Sequence, residues 1–251
     1  MGFPTGMKGP AGPIHSSRSI GGDRGITVSV AIFDQVASNS IVPKTPAWKA
    51  AALATGLGIA TIAYPAHAAP ASGGDTVQGL YDALLGTMKN GRTLGQSGRF
   101  GRLEPVIRRT FDIPTMARLS VGSSWATLSE AQRQQVIKSF GRYISAIYAD
   151  RFDSYAGQKL QVTGEQSAAA GLVVKSQIIK ASGEAVSIDY MMRRNGDTWL
   201  ISDIYLDGAI SEVATRRSEF GAILKNEGID GLIAALNRKA DILTATTARS
   251  F

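Results

Sequence analysis

The side chains that most often carry out acid–base, thiol or metal chemistry are nearly absent from this sequence. Its 251 residues include no cysteine, and both histidines, His15 and His67, lie in the N-terminal third. Histidine is the usual general base near neutral pH, and histidine and cysteine are the commonest ligands of zinc. We therefore expect no cofactor, no metal site and no thiol nucleophile in residues 69–251.

Carboxylates and tyrosines are the remaining candidates for chemistry. Asp203 could act as a general base with Tyr190 or Tyr205 as donor, which is an arrangement typical of a small isomerase. Asp203 could also simply hydrogen-bond the end of a strand or helix. The pair Asp203 and Asp207 lies at a predicted strand end, where carboxylates are commonly solvated or act as caps. The second interpretation is the simpler one, so we expect no catalytic residue and a protein that is not an enzyme.

Apolar and aromatic side chains carry the positive evidence. Ser129 is a plausible N-cap for a long helix over residues 129–153. Its helical spacing aligns Val136, Phe140, Tyr143, Ile144, Ile147, Tyr148 and Phe152. Such a wide apolar face has to be covered by an equally broad surface.

That surface is predicted after Lys159, where the apolar period changes to two. Four strands are indicated, at 159–165, 170–180, 184–194 and 197–206, and Ser182-Gly183 and Asn195-Gly196 provide tight turns between the last three. The pattern predicts an antiparallel meander with one apolar face.

Helices are predicted on both sides of these strands, at 75–89, 103–111 and 112–122 before them and at 209–226 and 230–243 after them. The fold class is α+β, with a curved four-stranded antiparallel sheet wrapped by about six or seven helices. A concave sheet under helices leaves room between the two layers for an apolar ligand.

The N-terminal region has the pattern of an export signal. Lys44 and Lys49 precede the apolar run Ala50–Ala63, and Ala66-His67-Ala68 matches a signal peptidase site. We predict a cleaved signal peptide over 44–68 and a single domain over 69–251 in the periplasm. Residues 1–43 are rich in Gly, Pro and Ser, and are either disordered or the product of a start codon assigned too far upstream.

The charge pattern does not indicate nucleic-acid binding. The formal net charge of the chain is +7, of which about +4 falls in residues 69–251, and no basic tract alternates with aromatic residues. The excess suits contact with anionic lipid or an acidic partner, or a solvated surface. We expect a monomer.

Two segments resemble a known family. Residues 111–157 (FDIPTMARLSVGSSWATLSEAQRQQVIKSFGRYISAIYADRFDSYAG) and 193–239 (RRNGDTWLISDIYLDGAISEVATRRSEFGAILKNEGIDGLIAALNRK) are similar to the MlaC-type, toluene-tolerance family of periplasmic phospholipid-binding proteins. The run Phe152–Gly157 (FDSYAG) resembles the hopanoid-associated HpnM branch more than the general pattern.

The resemblance implies a cone-shaped, NTF2-like sheet with a deep apolar pocket for a phospholipid or a hopanoid. It also implies two partners: an inner-membrane complex with an MCE-domain ring and an ABC transporter, and an outer-membrane lipoprotein complex. By position, the expected lipid-binding residues are Phe111, Met116, Trp125, Phe140, Tyr143, Ile144, Ile147, Tyr148, Val174, Ile178, Ile188, Tyr190 and Ile201.

The sequence therefore predicts a periplasmic lipid carrier that shuttles lipid between the two membrane complexes. The alternatives are an accessory protein of hopanoid synthesis, a small isomerase-type enzyme, and an interaction protein with a filled core and no ligand. The sequence leaves the cargo, the headgroup and the direction of transport open.

Overall fold

The computed structural model describes residues 72–245. Its helices are α1 (Gly73–Lys89), α2 (Gly91–Thr110), α3 (Ile113–Val121), a 3-10 helix (Gly122–Thr127), α4 (Glu130–Arg151) and α5 (Glu212–Ala245). Its strands are β1 (Lys159–Ala168), β2 (Gly171–Ile179), β3 (Ala185–Asn195), β4 (Thr198–Leu206) and β5 (Ile210–Ser211). The predicted N-terminal extension and signal peptide lie outside the described residues. No helix between residues 72 and 245 combines the length and apolar character that crossing a bilayer requires.

The strands form one antiparallel sheet in the order β1-β2-β3-β4-β5, which confirms the predicted meander. The prediction of four strands is wrong by one. Asp207 and Gly208 have positive φ angles of 49° and 69°, and the chain turns back so that Ile210 pairs with Leu206. A strand of two residues is too short to show a period, so the sequence pattern did not reveal it.

The described chain has five α-helices and one 3-10 helix, where about six or seven helices were predicted. Two of the α-helices continue through a glycine with non-helical backbone, Gly95 (φ 59°) in α2 and Gly228 (φ 67°) in α5. The predicted break near Gly228 is confirmed, since its non-helical backbone (φ 67°, ψ −166°) separates two helical segments of α5. Helix α2 begins at Gly91 and not at the predicted residue 103, because it also includes the glycine-rich stretch at 91–101.

Side-chain caps explain where the long helices begin. Ser72 and Ser129 each accept a hydrogen bond from the backbone N–H three residues later and form capping boxes with Asp75 and Gln132. Ser129 was the predicted N-cap of α4. In α1 the N-cap is Ser72, whereas Asp75 supplies the reciprocal carboxylate.

The helices cover one face of the sheet. Where α2 meets α3, the backbone N–H of Asp112 donates to the carbonyl of Ile201 at 2.8 Å, and Phe111 forms a parallel bridge with Ile201. This contact joins the helical layer to the middle of β4. The covered face of the central strands carries Val174, Ile178, Val186, Ile188, Tyr190, Met192 and Ile201, all of them buried.

Candidate functional site

The predicted lipid-binding residues belong to one hydrophobic core, in which Phe140 meets the Phe220 ring and Tyr143 meets Arg216, both on α5. All of them except Trp125 belong to the buried core, and Trp125 is partly buried against it. Their burial agrees with the apolar faces read from the sequence, and their role in lipid binding stays a prediction. Their burial alone does not distinguish ligand walls from ordinary core.

Aromatic side chains of α4 and of the α2–α3 junction pack against one another in this core. Helix α4 packs chiefly on α2 and α5, and its backbone makes few close approaches to any strand. The rings of Tyr148 and Phe152 stack at a centroid distance of 5.6 Å, and Phe111 meets Tyr148 edge-on at 5.6 Å. We call these three rings, together with the buried side chains listed above for the covered face of β2–β4, the aromatic layer.

The predicted wall residues pack against one another in the described chain, and the expected deep apolar pocket stays a prediction. Two clefts lie at the surface, with volumes of about 330 Å³ and 300 Å³. Of the thirteen predicted residues only Trp125 lines either cleft.

Tyr81 was missed by the sequence analysis although it lies at the centre of the layer. Its hydroxyl is 2.6 Å from the Ser176 hydroxyl, which in turn donates to the Ile188 carbonyl at 2.5 Å, so Tyr81 is the donor of the pair. The Tyr81 and Tyr190 rings meet edge-on at 6.0 Å. Val77, Leu80 and Leu84 on the same helix defined the apolar stripe, and a tyrosine beside such a stripe carries no signal of its own.

Burial determines the ionisation of these tyrosines. It raises the pKa of Tyr81 from 10.0 to about 12, with the Ser176 hydrogen bond opposing the shift. It also raises the pKa of Tyr148 and of Tyr190 well above 10.0. All three phenols stay protonated near neutral pH, so they act as hydrogen-bonding groups and not as bases.

A buried ionic cluster between α4 and α5 was also missed. The Arg216 guanidinium bonds the Glu212 carboxylate at 2.6 Å and the Tyr143 hydroxyl at 2.8 Å, and lies 3.4 Å from the Glu219 carboxylate. Arg216 and Glu212 are each only 2% exposed. The i,i+4 spacing of Glu212 and Arg216 was visible in the sequence. It did not show that this face of α5 turns inward.

Asp203 has the structural role that was the simpler prediction. Its carboxylate accepts hydrogen bonds from the Ser211 hydroxyl at 2.6 Å and from the backbone N–H of Val213 at 3.1 Å, and so binds the start of α5. Asp203 pairs with Met191 across β3, and successive residues point to opposite faces, which places Tyr190 on the other side of the sheet. Asp203 and Tyr190 are therefore not arranged as a base and its donor.

Tyr205 lies on the same side as Asp203 at the rim of the smaller cleft. Burial and the Asp203 carboxylate raise its pKa. Within residues 72–245 no three His, Cys, Asp or Glu side chains are grouped so that they could hold a metal ion.

Comparisons with known proteins agree with this geometry. The family model described as "MlaC protein" matches residues 78–238. The intermembrane phospholipid transport system binding protein MlaC of Haemophilus influenzae is 28% identical over 125 residues, which cover 48% of this chain and 58% of the relative. The chain thus matches less than two thirds of that curated protein.

The fold is shared with a solved structure, the phospholipid-binding protein from Ralstonia solanacearum in complex with a phospholipid. The TM-score is 0.60 at 23% sequence identity, and the alignment covers 69% of this chain and 99% of the other. Because the family model spans more than half of the sequence, this chain belongs to the MlaC protein family.

Proposed function

We propose that this protein binds a phospholipid in the aromatic layer and carries it between membranes through the periplasm. The observation that supports this most directly is the layer itself. An apolar sheet face and the face of α4 oppose each other, with side chains and few close backbone approaches between them. The names of the Haemophilus influenzae and Ralstonia solanacearum proteins support phospholipid as the cargo class.

Acyl chains would enter this layer by separating α4 from β2–β4. That separation is feasible because α4 packs chiefly on α2 and α5 and makes few close approaches to any strand. Between residues 72 and 245, one backbone-to-backbone hydrogen bond joins the helical layer to β4, from Asp112 to Ile201 at the α2–α3 junction. Helix α1 is bound more closely to the sheet, and its Thr76 hydroxyl donates to the Trp199 carbonyl at 3.2 Å. We propose the thirteen predicted residues as the walls of the opened site.

Binding would be driven by burial of hydrocarbon. Each buried methylene contributes roughly 0.8 kcal/mol, so one or two acyl chains supply ample free energy. A headgroup that stays at the rim keeps its hydration and needs no buried counter-charge. Unloading would then depend on a partner that opens or competes for the site.

The partners we propose are an inner-membrane MCE-domain complex with an ABC transporter and an outer-membrane lipoprotein complex, between which the protein would shuttle as a monomer. Export would use the signal peptide at 44–68, with cleavage after Ala68. The similarity of Phe152–Gly157 to the HpnM branch keeps a hopanoid as the second candidate cargo.

Native and denaturing mass spectrometry of the protein purified from the periplasm without detergent tests the proposal. We expect an added mass that matches one phospholipid and disappears on denaturation. If the protein purifies without lipid and then takes up added hopanoid but not phospholipid, the cargo is a hopanoid. A bare protein that takes up neither would favour an interaction protein with a filled core.

A further inference from the structure

The two surface clefts adjoin each other along α3. Both are lined by Arg118 and Leu119; the larger continues to Trp125 and Arg217 and the smaller to Arg193. We call the surface formed by these five residues the α3 groove. Trp125 is also one of the thirteen proposed wall residues, whereas the arginines and Leu119 lie outside the aromatic layer and are not used by cargo binding as proposed above.

The groove carries positive charge that the protein does not neutralise. Among residues 72–245, no carboxylate lies within 4.0 Å of Arg118 or Arg217, and no acceptor takes a hydrogen bond from either guanidinium. Arg193 is partly neutralised. Its guanidinium lies 3.6 Å from the Asp112 carboxylate and donates a hydrogen bond to the Thr115 hydroxyl at 2.8 Å. The Asp203 carboxylate at the smaller cleft is occupied by the start of α5.

The backbone at Gly122 holds Arg217 in the groove. Gly122 has a φ of 68°, and a Cβ there would lie 2.8 Å from the Arg217 Nε. The guanidinium therefore lies directly on the glycine at the C-terminal end of α3, where the helix dipole favours a cation. This contact orients Arg217 and leaves its N–H groups available for an anion.

Apolar side chains lie next to these cations. Leu119 is 39% exposed, and Trp125 is partly buried with the Arg133 guanidinium 5.9 Å from its ring centre. Arg133 is itself within 3.8 Å of the Glu130 carboxylate. The groove thus presents arginines, a tryptophan and an exposed leucine on one surface.

We propose that the α3 groove docks the protein on an anionic lipid bilayer. Lipid phosphates would bind Arg118 and Arg217, while Leu119 and Trp125 would enter the interfacial region, where tryptophan is favoured. An acidic protein would match the arginines equally well. The exposed leucine and the tryptophan favour the bilayer, which offers phosphate and hydrocarbon at adjacent depths.

Vesicle co-sedimentation tests this with the protein purified from the periplasm. We expect binding to phosphatidylcholine vesicles that contain phosphatidylglycerol, little binding to phosphatidylcholine alone, and weakening as salt is raised. The double variant R118Q/R217Q should reduce the partition coefficient roughly 30-fold, as expected for two arginines at an anionic surface. Leu119→Ser should weaken binding by a smaller, salt-independent factor.

The matched control is R92Q/R238Q, which removes two exposed arginines that line neither cleft. It should retain most of the vesicle binding. Equal losses of vesicle binding in the two double variants would overturn the groove assignment. A wild-type protein that does not bind anionic vesicles at low salt would overturn the bilayer proposal and favour an acidic protein as the partner of the groove. Competition by free glycerol phosphate at constant ionic strength would also overturn it, because the site would then take a soluble phosphate. The mass of copurified lipid, measured by native mass spectrometry, should be the same in R118Q/R217Q as in wild type. Failure of the docking proposal is therefore distinguishable from failure of the lipid-carrier proposal.

Discussion

Tyr81 gives the protein an unusual dependence of stability on alkaline pH. Its pKa is about 12 when folded and near 10 when unfolded, so between those values the unfolded chain binds fewer protons and unfolding becomes easier as pH rises. The stabilisation is complete below pH 10, and Tyr81 accounts for a loss of roughly 2 kcal/mol by pH 12. Tyr148 and Tyr190 act in the same direction.

Urea unfolding at a series of pH values measures this effect, with tyrosinate absorbance followed in the native baseline. Tyr81→Phe should show a shallower decline than wild type. The burial argument fails if all tyrosines of the folded protein titrate near pH 10.

Asp203 distinguishes a structural role from an enzymatic one. Asp203→Asn keeps the shape but weakens the acceptors for Ser211 and Val213, and should lower the free energy of unfolding by roughly 1 kcal/mol, as loss of a helix cap does. Cargo mass should be unchanged, because Asp203 faces away from the aromatic layer. Urea unfolding measures the change in the free energy of unfolding, and native mass spectrometry measures the mass of copurified lipid. Unchanged stability in Asp203→Asn would contradict the capping role.

Ile147 and Ile188 test the walls of the proposed lipid site. Ile147→Asp or Ile188→Asp puts an unpaired carboxylate into an apolar layer, at a cost of several kcal/mol, and should abolish copurification of lipid. The control is Ile210→Asp, at a side chain that is 50% exposed. Occupancy is compared only among variants that unfold cooperatively. Full occupancy in both core variants would remove the layer as the binding site.

At the scale of elements, a close approach of two backbones joins the start of α2 to the end of α4. A Cβ on Gly91 would lie 1.6 Å from the Asp153 carbonyl oxygen. The Arg99 side chain reinforces the junction by donating to the Gly91 carbonyl at 3.1 Å and to the Ala149 carbonyl at 2.8 Å. Arg99 thus binds both helices of the layer that covers the sheet.

Gly91→Ala should therefore force the two helices apart and lower the free energy of unfolding by roughly 1–3 kcal/mol. Gly79→Ala is the matched control, because a Cβ there meets nothing within 4 Å and alanine is the better helix former by roughly 0.5–1 kcal/mol. Urea midpoints of the two variants should move in opposite directions. If Gly91→Ala leaves the free energy of unfolding unchanged, the two helices can separate at this junction at little cost.

The elements were largely predictable and the contacts between them were not. The Phe140-to-Phe152 stripe and the Asn195-Gly196 turn are local patterns, and both predicted the observed element. Tyr81 and Arg216 became buried because of how α1 and α5 are oriented, which is decided by packing partners distant in sequence. Burial of the predicted pocket walls follows from local apolar patterns, but whether they enclose a cavity depends on helix-to-sheet spacing, which no local pattern encodes.

At the scale of the whole molecule, the position of the aromatic layer has a consequence for how a carrier exchanges its cargo. Phe111, Tyr148 and Phe152 pack against one another under α4, so in the proposed carrier an acyl chain entering there would replace contacts between protein side chains and not contacts with water. The side chains would then compete with the lipid and recover their mutual packing when it leaves. The net affinity would be the difference between two dry packings, smaller than the full transfer of hydrocarbon from water. Such a carrier would hold lipid firmly against water yet give it up to another apolar site at modest cost.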